Sequence, residues 1–289
     1  MNPTVFNRFG LHDGRTWAFR QFEDSQTRVN RLWHCSKAQA WLLVDRTAGP
    51  AEQWRRFVDN LEPLQRRADF FRDPAEARTQ AKETDNWMRL TLTVAIASYL
   101  ETYVAQVIER AIRSRPGVLI GAPKSVEGVK LLKDHVKLDT EEYVRRCVEG
   151  PWSARVAAIE RLFGTTGLKA LIGPLDQLRK TRNRAAHSIG ADPTPGASLH
   201  LAFGDAERVS AKRVAHSFAL AAQAAQHLEH ALGSHWVGEF ETLLFFHQKV
   251  KPHVHDAAGN ALKKKLGQLG RPPVNKEFAL KAVEFYDDC

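Results

Sequence analysis

The chain has 289 residues, 43% of them apolar, with seven Trp and fifteen Phe; this excludes a disordered chain and allows one large core or a core domain with extensions. Lys and Arg number 42 against 33 Asp and Glu, a formal charge of +9, which suits a polyanionic partner such as nucleic acid or an anionic surface. Cys35, Cys147 and Cys289 are few, odd in number and far apart, which excludes a disulfide framework or a C-x-x-C zinc site and points to a reducing compartment.

Strand-like alternation is confined to Ser198–Phe203, so the chain reads as all-α. Residues 15–85 read as a helical N-terminal region. Leu32, Trp33, Ala40, Trp41 and Val44 recur at helical spacing and are expected in a core. Gly49-Pro50 breaks that run, and Trp54, Phe57, Val58 and Leu61 form a second stripe. Thr84-Asp85-Asn86 offers N-caps for a long apolar helix, Trp87 to Ser114, stopped by Arg115-Pro116-Gly117. Shorter helices follow at Val126–His135, Glu141–Glu149 and Trp152–Phe163, the last with Pro151 at its start. Gly173-Pro174 opens a helix over Leu175–Ile189, and Gly190, Pro193, Pro195 and Gly196 close it. The last long helix runs from about Asp205 or Ser210 to Leu232, with Val214, Phe218, Ala221, Ala225 and Leu228 on one face. Trp236–His247 continues as helix. Gln248–Cys289 is basic and broken by Pro252, Pro272 and Pro273.

No apolar signal segment follows Met1–Val5, and the apolar run Leu90–Leu100 is too short to span a bilayer. A cytoplasmic protein without a membrane partner is expected. No P-loop, G-x-G-x-x-G or G-x-S-x-G motif occurs.

The chemistry concentrates in Leu178-Arg179-Lys180-Thr181-Arg182-Asn183-Arg184-Ala185-Ala186-His187. Arg is a permanent cation whose forked donors suit phosphate, and His titrates near neutral pH and can move protons. Cleavage of RNA by its own 2′-hydroxyl needs a base, an acid for the leaving 5′-oxygen and a cation for the phosphorane-like transition state. Asn183 and His187 are four apart and share a helix face, as does Arg179. Arg182 and His187 are five apart and diverge by about 140°. Either the Arg side chain wraps, or the helix ends near His187, or a second subunit completes the set. One copy holds one His and one Arg of the motif, so two copies across a two-fold axis would supply both proton-transfer groups.

Arg182-Asn183-Arg184-Ala185-Ala186-His187 resembles the R-[N/D/H]-x(3–5)-H signature of the HEPN superfamily (higher eukaryotes and prokaryotes nucleotide-binding). Ser98-Tyr99-Leu100-Glu101, Trp152-Ser153-Ala154-Arg155 and Leu162-Phe163-Gly164 resemble its RiboL-PSP branch. The resemblance covers about Thr84 to Trp236. It implies an up-and-down bundle of four or five helices, placed over 84–247; the residues outside the resemblance are read from their own pattern as a helical N-terminal extension over 1–83 and a basic C-terminal tail over 248–289. The resemblance further implies a homodimer with adjoining motif helices and a metal-independent, cofactor-free endoribonuclease leaving a 2′,3′-cyclic phosphate. A toxin or antiphage role, restrained by an antitoxin or other regulatory partner, follows from the same source. Arg182 and His187 would be the catalytic pair, with Asn183 orienting His187 or the phosphate. Arg179, Lys180 and Arg184 are added as RNA-backbone contacts on charge grounds.

The competing reading is a solvated helix face ending in a His favoured by the helix dipole, within a non-catalytic nucleic-acid-binding or protein-interaction scaffold. Three further groups weigh less. His247, His253, His255 and Asp256 could ligate a metal or be surface polar groups. His216 and His227, three turns apart, share a face of the last long helix near His230. Lys263-Lys264-Lys265 with Arg271 could bind RNA backbone or be solvated charge.

Overall fold

The computed structural model describes residues 6–50, 52–54, 56, 73–188, 208–253, 257–269 and 274–289, and excludes the side chains of His187, Ser188 and His253. Every regular element among the described residues is helical, so the chain is all-α. The expected strand at Ser198–Phe203 and the apolar residues Phe57, Val58 and Leu61 lie outside the described residues.

In chain order the α-helices are α1 (Trp17–Ala48), α2 (Pro74–Ser114), α3 (Gly128–Lys133), α4 (Glu141–Val148), α5 (Trp152–Phe163), α6 (Ile172–Ser188), α7 (Ala211–Leu232), α8 (Phe240–Phe245), α9 (Ala258–Gln268) and α10 (Lys276–Asp288). The fold divides into two units: Met1–Glu23 with Tyr99–Asp176 and Leu220–Cys289, and Asp24–Ser98 with Gln177–Ala219.

In the first unit, Val107, Ile108 and Ile112 of α2, Val156 and Ile159 of α5 and Leu228 and Leu232 of α7 are fully buried. Such side chains contribute about 1.5–3 kcal/mol each. The described residues of the segment expected as a basic tail, 248–289, contribute to a second apolar cluster in this unit. Leu262 and Leu266 of α9 pack with Val274 and with Phe278, Ala279, Ala282 and Tyr286 of α10, against Phe240, Leu243 and Phe246. Lys263, Lys264 and Lys265 occupy the solvent side of α9 between those two leucines. The lysine run is thus one face of an amphipathic helix.

The entry to α1 is fixed by carboxylates from the other end of the chain. Glu229 accepts from Thr16 N (2.6 Å) and Thr16 Oγ1 (2.8 Å), Glu241 from Trp17 N (2.6 Å) and Glu239 from His12 N (2.6 Å). The Thr16 and Trp17 N–H groups have no partner within the helix, and negative charge is favoured at a helix N-terminus. Burial nevertheless pushes the carboxyls of Glu229 and Glu239 up. Beside them, Arg8 is buried and donates to Val237 O (3.0 Å), Ser114 Oγ (2.7 Å) and Glu127 (2.9 Å). The helix expected over Trp236–His247 is interrupted here. Gly238 has φ +53, and a β-carbon on it would sit 2.2 Å from Arg8 O, so the chain turns at a residue only glycine can fill.

In the second unit, α2 begins at Pro74 and not at Trp87. Asp73 Oδ1 accepts from Ala75 N and Glu76 N, both at 2.8 Å, so Asp73 is the N-cap and Pro74 stands at the first helical position. A domain limit at 83/84 would therefore cut a helix. Among the residues expected in a core on α1, Trp33 is buried and stacks on Phe218 of α7, with ring centroids 6.0 Å apart. Leu32, Trp41 and Val44 are 55%, 65% and 40% exposed, which corrects that expectation. Periodicity marks an apolar face but does not supply a partner for it. Helix α2 contains an 18-residue window long and apolar enough to cross a membrane by composition, and half of that window is buried inside the protein.

Candidate nucleic-acid interface on the motif helix

Helix α6 carries the motif. Pro174 falls in its first turn, where the missing N–H has no partner to lose. Within the second unit, Leu178, Thr181 and Ala185 are buried and mark its inner face. Arg182 lies about 40° from Leu178 around an ideal helix, Asn183 about 140°, and Lys180 and Arg184 about 160° and 120° the other way. Arg182 is half-buried with its Nε shielded from solvent, Arg179 and Asn183 are half-buried, and Lys180 and Arg184 are exposed. The helix therefore does not gather Arg182 and Asn183 onto one face. His187 is in helical backbone, one residue before the last of α6, and its side chain lies outside the described residues.

A further cation is brought to this helix by α7. Ser210 Oγ accepts from Arg213 N (3.2 Å), the N-cap bond of that helix. The preceding residues are tied to α2: Val209 N donates to Asn86 Oδ1 (3.1 Å) and Arg89 Nη1 donates to Val209 O (3.2 Å). Asn86, expected as a helix cap, serves here instead. With the start of α7 held, Arg213 Nη2 donates to Thr181 Oγ1 at 3.0 Å, and that hydroxyl donates to Gln177 O at 3.0 Å. Thr181 immediately precedes Arg182. Sequence reasoning missed Arg213 because this contact joins residues 32 apart through the packing of two helices. The available signal was the absence of carboxylates. Residues 177–188 hold four Lys or Arg and 208–219 hold three, with no Asp or Glu in either stretch. Of these, Arg208 is paired with Glu83 at 3.4 Å.

No family model, curated protein or solved structure matches this chain. The site is therefore read from the chain's own residues. Its donors come from two helices, and neither 177–188 nor 208–219 contains a carboxylate.

The remaining sequence candidates fall elsewhere. Among the described residues no group of three or more His, Cys, Asp or Glu could hold a metal ion. His255, Asp256 and Arg271 lie outside the described residues. His216 is exposed in the second unit. His227 is in the first, where a β-carbon on Gly167 would approach its Nδ1 to 2.8 Å. His230 is exposed. Two of the segments flanking the motif meet in the first unit. Arg155, buried, pairs with Glu101 at 3.0 Å, donates to Gly150 O at 2.9 Å and lies over the Trp152 ring at 5.0 Å.

Proposed function

We propose that this protein is a metal-independent endoribonuclease of the HEPN kind, acting as a homodimer in toxin or antiphage defence. The observation that carries the reading is the carboxylate-free cationic stretch around Arg182-Asn183…His187, with Arg213 joined to it through Thr181. The bundle topology and the adjoining motif helices of the dimer belong to the same proposal.

In the proposed reaction, one His187 removes the proton of the RNA 2′-hydroxyl. That oxygen attacks the adjacent phosphorus, and the bond to the 5′-oxygen breaks. His187 of the partner subunit returns a proton to the leaving oxygen, so the products are a 2′,3′-cyclic phosphate and a 5′-hydroxyl. Arg182 balances the charge that grows on the phosphoryl oxygens, where such preorganised donors contribute most. Asn183 orients the imidazole or the phosphate. Arg179, Lys180 and Arg184 hold the backbone on either side.

The test is cleavage of end-labelled RNA with EDTA present, wild type beside His187→Ala. Proton-transfer groups contribute about 10²–10⁴-fold, so the variant should be at least a hundredfold slower while folded and dimeric. Full activity in the variant, or a strict requirement for divalent metal, would overturn the reading. Salt-sensitive binding without cleavage in both proteins would favour a non-catalytic nucleic-acid scaffold.

A further inference from the structure

A second site lies in the first unit, independent of the motif helix. A cleft of about 320 Å³ opens between the end of α2, the α3–α4 connection and the helices around Phe240. Its floor is apolar, formed by Leu131, Leu132 and Phe240, the last buried. Its polar groups are Arg113, Lys137, His135 and His247, and no carboxylate among the described residues lines it. Arg113 is also paired with Glu109 at 3.1 Å, which leaves Lys137 as the more available permanent cation.

Two details show that the imidazoles are held in place. His135 has φ +56, a left-handed conformation that a β-carbon disfavours and that surrounding structure must impose. Its ring lies 5.4 Å from that of His247. His247 Nδ1 is 2.7 Å from the hydroxyl of the buried Tyr286, which also lies 3.4 Å from Lys251 Nζ. An ammonium group can only donate, so Lys251 donates to the Tyr286 oxygen, and the His247–Tyr286 hydrogen bond fixes the imidazole ring in either tautomer. Burial, together with the charges of His135 and Lys251, holds the His247 pKa below the ordinary histidine value.

We propose that this cleft binds a small organic anion with an apolar body, a carboxylate or phosphate on a short acyl or aryl group. An apolar floor with a few convergent polar groups is the usual form of a small-molecule site. The absence of carboxylates among its described residues sets the sign of the ligand's charge. The volume matches roughly ten water molecules at about 30 Å³ each, hence a ligand of about ten to fifteen non-hydrogen atoms.

Octanoate is a suitable probe and octanol its uncharged counterpart, titrated calorimetrically into the full-length protein. Octanoate should bind saturably with Kd below about 1 mM, and octanol at least tenfold more weakly. Two variants locate the binding. Lys137→Gln alters an exposed side chain, and His135→Gly removes an imidazole while suiting the positive φ, so both should keep the fold. Each should weaken octanoate by about three- to tenfold. No saturable octanoate binding, equal affinity for octanol, or native affinity in both variants would overturn the proposal.

Discussion

Thr181→Val isolates the contact that joins Arg213 to the motif helix. Valine keeps the shape and the branching of threonine and differs little from it in helix propensity. Gln177 O loses the Thr181 hydroxyl but retains its helical N–H donor, so no buried acceptor is left bare. What is removed is the bond from Arg213 Nη2 at 3.0 Å. A hydrogen bond to a charged group contributes about 1.5–3 kcal/mol, and partial solvation of the half-buried guanidinium reduces that to about 1 kcal/mol. Local opening of α6 should then be about fivefold more frequent, read as faster amide exchange of a peptide spanning 177–188. Arg213→Met should have a similar effect, and the double variant should open about fivefold and not about thirtyfold more often, since both changes delete one interaction. Additive effects, or exchange unchanged in both single variants, would refute the claim that Thr181 is where α7 grips the motif helix.

Phe278→Ala should destabilise the first unit by about 3–5 kcal/mol, the usual effect of truncating a buried aromatic, seen as cleavage by a low concentration of protease. Full resistance would return residues 274–289 to the status of a tail. Glu229 and Glu239 give a signed pH dependence. Their folded pKa values are raised by burial, so the folded state holds these protons more tightly than the unfolded chain. That stabilising contribution is complete below the ordinary glutamate pKa and is lost as pH rises through the folded values. Glu229→Gln should therefore flatten the fall in melting temperature on the alkaline side of about pH 4.5; an identical slope in wild type and variant would sink this assignment.

Much of the helical order could be read from sequence because α5 and α7 announce themselves by apolar spacing and by flanking glycine and proline. What misled was chemistry shared by different contexts. Thr84-Asp85-Asn86 has the composition of a cap, yet Asn86 bonds Val209 and Asp85 pairs with Arg89 within a helix that has already begun. The true cap, Asp73-Pro74, is equally regular in composition. Leu32, Trp41 and Val44 obey the helical period without being buried. Lys263-Lys264-Lys265 drew attention away from Leu262 and Leu266, whose four-residue spacing already described a buried face. The motif residues were visible as a string, but their distribution around α6 and the arrival of Arg213 depend on tertiary packing that no local pattern encodes.

The carboxylate clamp on the start of α1 has a consequence for biosynthesis. Thr16 and Trp17 are bonded by residues 213 and 224 positions later. At about 5–20 residues per second, translation needs about 10–40 s to make the intervening chain. During that interval the Thr16 and Trp17 amides lack their carboxylate partners, and Arg8 awaits Ser114, Glu127 and Val237 in turn. The N-terminal segment is thus among the first made and the last secured, and the first unit closes only after α8 has left the ribosome.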